Sequence, residues 1–237
     1  MKERNEMKNT TKHNDYHCNH RYISVAAFEE KYGIKFTQKH NGKMEGMMSL
    51  STSPLENTFC KCRRHCPNSI CSHCYSYNMN AMFKTLATML KKNLDVLSTV
   101  KIPVSEMPVL NALYFRFEAF GDLQNETQLE NYFNLCERNP ETHFAIWSKN
   151  LPIVKRVIDG GHKKPANLQI LASSMYVDKR DDVTAYDFVD KVFTVYSKEY
   201  AKKNNVKINC GGKSCLGTCG NKCYKQNGTK FINELLK

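Results

Sequence analysis

The chain has 237 residues, 41% hydrophobic and 24% charged, the composition of an ordinary globular protein able to bury a sizeable core. Its 35 lysines and arginines against 23 acidic residues leave a net charge of +12, which favours nucleic acid or another polyanion as partner without specifying one. No apolar run reaches the roughly 20 residues of a membrane span, and the opening MKERNEMKNTTKHNDYH lacks the apolar stretch of a secretory signal, so a cytoplasmic protein with no membrane partner is expected.

In chain order, residues 1–22 are polar and without period, which predicts a flexible basic tail; Cys18 lies there with His13, His17 and His20. Ser24 suits the N-cap of a short helix carrying Val25, Phe28 and Tyr32 and closed by Gly33. Met47 to Thr52 reads as a strand leading into FCKCRRHCPNSICSHCY, with Cys60, Cys62, Cys66, Cys71 and Cys74. Helical spacing of Met79, Met82, Phe83, Leu86, Met89, Leu90, Leu94 and Leu97 predicts one long helix over about 76–97. Pro103 and Pro108 mark a loop before a buried strand, Leu113 to Ala119, that ends in the turn Phe120-Gly121-Asp122.

An amphipathic helix is predicted over Thr127–Arg138, with Cys136 as an inert thiol on its apolar face. Strands follow at His143–Trp147, ending in Ser148-Lys149, and at Leu168–Ala172, ending in Ser173-Ser174, with a helix at Ile153–Ile158 between them. A helix at Ala185–Val189, a strand at Val192–Tyr196, a short strand at Val206–Ile208 and a terminal helix at Phe231–Leu236 complete the pattern. Alternation of strand and helix implies an α/β fold with parallel strands, whose carboxyl ends gather their loops on one face. Both cysteine groups, Gly121-Asp122, Ser148-Lys149 and Ser173-Ser174 are expected on that face.

Clustered thiols in a reducing compartment read as metal ligands or redox groups rather than disulfides. Cys66, Cys71 and Cys74, spaced CX4CX2C, suit an iron–sulfur cluster with one iron open, or zinc completed by His65 or His73. Cys62 is a further candidate ligand. Cys210, Cys215, Cys219 and Cys223 are four thiols in fourteen residues among glycines, and suit a fully ligated cluster. The paired CXXC of zinc ribbons is absent, which turns the choice from zinc toward iron–sulfur.

A cysteine loop after the first strand, three thiols ending where a helix begins, and repeated strand–helix units resemble the radical S-adenosylmethionine (SAM) superfamily. The first cysteine interval is four residues here, where that superfamily has three. A narrower resemblance is to bacteriophage proteins with a CPX4CX2CY segment (Cys66-Pro67, Cys71, Cys74-Tyr75), a strand ending in GD and a C-terminal cysteine group. It covers roughly residues 46 to 226.

The resemblance implies a partial parallel (β/α) barrel of five to six units over 23–209, preceded by the tail and followed by a cysteine-bearing segment over 210–237. It implies one or two [4Fe–4S] clusters, the first with an open iron that would bind SAM or a similar small ligand and cleave it reductively. Glu118, Gly121, Asp122 and Ser148 would contact that ligand, Glu118 or Asp122 accepting from its amino group, with Lys149, Ser173 and Ser197 beside them. Two other classes remain open: a non-catalytic metalloprotein binding nucleic acid, suggested by the charge and by Arg63-Arg64, and a redox or sulfur-handling iron–sulfur protein using Cys60 and Cys62.

Overall fold

Six segments of β-forming residues pair in parallel and in strict chain order: β1 (Met48–Leu50), β2 (Tyr114–Phe117), β3 (His143–Ser148), β4 (Leu168–Ser173), β5 (Lys191–Tyr196) and β6 (Phe231–Leu235). They come from a computed structural model of the protein, which describes residues 22–219 and 222–236. The expected tail lies outside the described residues apart from Tyr22, and Cys18 with its histidine neighbours lies outside them too. The fold is α/β with an open, all-parallel sheet. Its helices are α1 (Val25–Tyr32), α2 (Thr58–Arg64), α3 (Tyr75–Met82), α4 (Lys84–Thr99), α5 (Glu126–Arg138), α6 (Leu151–Asp159) and α7 (Lys198–Lys203). None is long and apolar enough to cross a membrane, among the described residues.

Side chains along a strand alternate between two faces. On one face Phe115, Phe117, Phe144, Ile146, Leu168 and Ile170 pack against Leu97 of α4, Leu129, Tyr132 and Phe133 of α5, and Val154 and Val157 of α6. Each such side chain stabilises the fold by about 1.5–3 kcal/mol when fully buried. The alternate positions Tyr114, Ala145, Trp147, Leu171, Phe193 and Ile232 point the other way. They cluster with Met44, Met47, Leu216, Cys223 and Tyr224. Helices α4, α5 and α6 thus lie against one face, and the cysteine-bearing stretch before β6 covers the other.

That placement corrects the expectation that both cysteine groups share the strand-end face. Parallel strands need a connection that runs back along the sheet. Between β5 and β6 the chain makes that return, after α7, across the face the main helices leave bare. The apparent long helix over 76–97 is two, because Phe83 adopts an extended conformation (φ −110°, ψ 95°) between α3 and α4. The predicted helix at 185–189 is a series of turns, and 206–208 forms no strand. Phe231–Leu235, expected as helix, is β6: its spacing suits either structure, and pairing with β5 at five positions together with burial of Ile232 decides for strand.

Candidate metal centres at the strand ends and on the sheet face

After β2 the chain turns through Glu118-Ala119-Phe120-Gly121-Asp122. Glu118 (φ 52°) and Gly121 (φ 86°) are both left-handed. A Cβ at Gly121 would stand 2.7 Å from both Glu118 Oε2 and Thr52 O, so the turn accepts only glycine there. The Glu118 carboxylate is 3% exposed. It accepts from Thr52 N (3.1 Å), Thr52 Oγ1 (3.0 Å), Gln128 Nε2 (2.6 Å) and Tyr132 OH (2.5 Å). Tyr132 is itself fixed by stacking on Phe117, ring centroids 4.2 Å apart. Burial pushes Glu118 up to about 8, against the Tyr132 and Thr52 donors that favour its charge.

Asp122 is also buried and raised by desolvation, while donors pull it down: Ser148 Oγ at 2.5 Å, Lys149 N at 2.9 Å and Leu123 N at 2.8 Å. Glu118, Gly121, Asp122 and Ser148 therefore do come together. Their polar atoms are engaged with one another and with α5, so they build the turn. Lys149 Nζ bonds Ser173 Oγ at 2.8 Å beside them. Ser197 stands apart: it caps α7, accepting from Tyr200 N, and binds Asp178.

The first cysteine group is tied to these strand ends at several points. Asn57 caps α2 through Oδ1 to Cys60 N (2.9 Å), and its amide donates to Asp122 O (2.7 Å). Ile70 N bonds Met175 O (2.9 Å), Ser69 bridges Tyr176, and Tyr75 OH reaches Ala119 O (3.3 Å). Cys71 Sγ lies 4.0 Å from Met175 Sδ, just after β4. Burial raises the Cys71 thiol; Lys149 opposes that rise, whereas Cys74, Asp122 and Cys66 add to it. Cys60 is raised most by burial, then by Asp122, Glu118, Cys74 and Cys71. The thiols that share this field are thus Cys60, Cys66, Cys71 and Cys74, whereas Cys62 is exposed.

Cys60 and Asn57 were not read as a unit from the sequence. The available signal was an Asn three residues before Cys60, an N-cap spacing. Arg63 lies over the Phe59 ring (5.2 Å) and Arg64 over Tyr77 (3.7 Å), with Arg63 Nη1 4.0 Å from Cys66 Sγ. Arg63 Nε and Arg64 Nη1 are buried and find no hydrogen-bond partner among the described residues.

The second group lies on the sheet face. Cys215 N bonds Lys43 O (2.7 Å) and Cys210 N bonds Asn233 O (3.0 Å), which fastens the first part of its loop at two points. Burial raises Cys223 to about 12, helped by Cys210, Cys219 and Cys215 and opposed by Arg116, so the four thiols share one electrostatic neighbourhood. Lys43 Nζ stands 3.2 Å from Cys210 Sγ. Arg116, on β2, stacks over Trp147 (4.3 Å), and its buried Nε also lacks a hydrogen-bond partner among the described residues.

Among the described residues no group of three or more His, Cys, Asp or Glu is arranged to hold a single metal ion, and His65 and His73 are exposed. Both sets nevertheless fit an anionic, thiolate-held group in their donor chemistry. Each gathers four thiols, and each has a buried guanidinium nitrogen that calls for an acceptor.

A family model described as Gene product 88 matches residues 26–235. No curated protein and no solved structure matches the chain.

Proposed function

The chain belongs to the gene product 88 family, and from that premise and the geometry of the two thiol sets we propose that it is an iron–sulfur protein of the radical SAM type. In this reading the sheet is part of a partial (β/α) barrel. Cys66, Cys71 and Cys74 hold an open [4Fe–4S] cluster at the carboxyl ends of its strands, and Cys210, Cys215, Cys219 and Cys223 hold a second, fully ligated one. A cytoplasmic setting, in a bacterial or phage-infected cell, belongs to the same proposal.

The observation that carries it is the company each thiol set keeps. Arg63 Nε and Arg64 Nη1 beside the first, and Arg116 Nε beside the second, are buried without hydrogen-bond partners among the described residues. Neutral thiols would not offset that desolvation; thiolates around a metal–sulfur core carry net negative charge and accept hydrogen bonds. When bound, the open cluster supplies an electron and a free iron position for the amino-acid end of SAM.

The chain's own residues then have separable tasks. Asn57 couples α2 to the turn after β2, which sets Cys60 against Asp122. Glu118, Gly121, Asp122 and Ser148 hold the shape of that turn and present its backbone to the ligand. Lys149, steadied by Ser173, places an ammonium beside Cys71, where it meets the carboxylate of an amino-acid-like ligand. Cys60 is a fourth thiol within the same field.

Anaerobic purification with iron, sulfide and zinc analysis, and EPR of the reduced protein with and without SAM, tests this. Two clusters of four irons give about seven to eight irons per chain, with a spectrum that SAM perturbs in wild type and not in Cys71→Ala. Zinc without iron would overturn the proposal; iron with no SAM effect would retain the clusters and remove SAM.

A further inference from the structure

The second thiol set is ringed by cations drawn from three separate strands and turns. Lys43, in the turn before β1, points its ammonium at Cys210 Sγ (3.2 Å) and Cys210 O (3.4 Å), with a third contact to Glu234 Oε1 (2.6 Å). Burial pulls the Lys43 ammonium down, yet Glu234 and Cys210 outweigh it, so it stays protonated. Arg116, in the middle of β2, faces Cys215 and Cys223 and is held by Trp147 beneath it and by Met44 Sδ at 3.2 Å. Lys191 opens β5. It is 3% exposed, yet among the described residues its ammonium has only a long 3.5 Å contact to Asn227 Oδ1, with Asp190 and Cys223 nearby.

Glu234 neutralises one of these three charges, and Asp190, close to Lys191, is already bound by Lys164 at 2.6 Å. Positive charge, half-buried at Lys43 and Arg116 and buried at Lys191, thus remains in excess around four groups that, as thiols, carry none. Leaving it there is costly unless an anion lies against it.

Resting on the iron–sulfur reading above, we infer that Lys43, Arg116 and Lys191 are the counter-charges of the group held by Cys210, Cys215, Cys219 and Cys223, and that Lys43 donates an N–H···S hydrogen bond to its Cys210 ligand. Reduction adds one negative charge to that group. Nearby cations and a sulfur-directed hydrogen bond stabilise the reduced form more than the oxidised form, so they raise its reduction potential. Lys43 is a positioning and tuning residue for this group. The cations of the first set, Arg63 and Arg64, stack on Phe59 and Tyr77, and make no comparably short contact to a sulfur among the described residues.

The test is an EPR-monitored redox titration of the full chain, reconstituted anaerobically with iron and sulfide. Wild type is compared with Lys43→Met, Lys43→Arg and Lys191→Met, and Cys71→Ala identifies which couple belongs to the second set. In Lys43→Met that couple shifts at least tenfold toward the oxidised form, about 59 mV for one electron, and Lys43→Arg restores most of the shift. Lys191→Met, which removes a charge rather than a sulfur hydrogen bond, shifts the same couple in the same direction by less, and supplies the answer if Lys43→Met cannot hold iron. Two clusters in wild type with unmoved couples in both methionine variants would overturn this inference and leave the iron–sulfur reading standing. A wild-type chain without iron would overturn both.

Discussion

At Glu118 four hydrogen-bond donors favour the charged carboxylate and complete burial opposes it, and burial prevails. The consequence for stability has a definite sign. The ordinary carboxyl value is 4.5 and the native one about 8, so the folded chain keeps a proton that the unfolded chain releases across that window. The contribution is complete below the unfolded value, erodes by up to about 1.4 kcal/mol per pH unit as pH rises, and is gone above the native value. Glu118→Gln removes the titration. The amide cannot accept from Thr52 N as well as the acid does, so absolute stability falls by about 1–3 kcal/mol. The variant's urea-unfolding free energy should nevertheless fall less between pH 5 and pH 8 than that of wild type, measured in identical anaerobic buffers. Parallel pH profiles would refute the assignment. The Glu-X-X-Gly-Asp turn was visible in the sequence as a candidate ligand site. That its acids face inward was not, because the donors from Thr52, Gln128 and Tyr132 arrive from other elements.

Among the elements, α2 shows how little of the site a pattern of cysteines conveys. Five thiols in fifteen residues read as a loop, yet TFCKCRR is helical and places Cys60 inward and Cys62 in solvent. What organises it is Asn57, fully buried, with its oxygen on Cys60 N and its amide on Asp122 O. Asn57→Ala should cost about 2–4 kcal/mol, the loss of a cap plus a carbonyl left without its donor. Asn57→Ser keeps a capping oxygen and loses the amide donor without burying a charge, so its urea midpoint should lie between the other two. An Asn57→Ala midpoint indistinguishable from wild type would show that the cap and the tie to the turn carry no stability. The strands β2 to β5 and helices α5 and α6 were readable from hydrophobic period alone, since each buries an unbroken apolar face. Misreadings fall where period is ambiguous or polar. Phe231–Leu235 satisfies helix and strand alike, and α7, KEYAKK, has one buried residue, Ala201, and is identified by its Ser197 cap rather than by an apolar stripe.

At the scale of the whole molecule the fold is three layers of unequal kind: helices, sheet, and a cysteine-bearing segment with no helix or strand among its described residues. Sequential strand order explains the asymmetry, because the main helices fall on one side and leave the other to whatever connects β5 to β6. That third layer is held by Tyr224 OH on Met47 Sδ (2.8 Å), by Leu216 and Cys223 in a small apolar cluster, and by the backbone bonds of Cys210 and Cys215. Such an anchorage is thin beside the helix-packed core, so the order of this layer should depend on what its thiols bind.

Chelation of the reconstituted protein should therefore raise amide hydrogen exchange across 207–226 by about tenfold or more, a loss of about 1.4 kcal/mol of local stability, while β2, β3, β4 and α5 stay protected. The single tryptophan offers an independent reading of the same event. Trp147 sits under Arg116 and 5.8 Å from the Tyr224 ring, on the face the third layer covers. On the iron–sulfur reading a group there would quench its fluorescence, so emission should recover in Cys219→Ala and remain quenched in Cys71→Ala, whose missing thiol lies at the strand ends. Recovery in Cys71→Ala alone, or exchange that rises uniformly through the sheet on chelation, would mean that metal supports the main core rather than the layer laid over it.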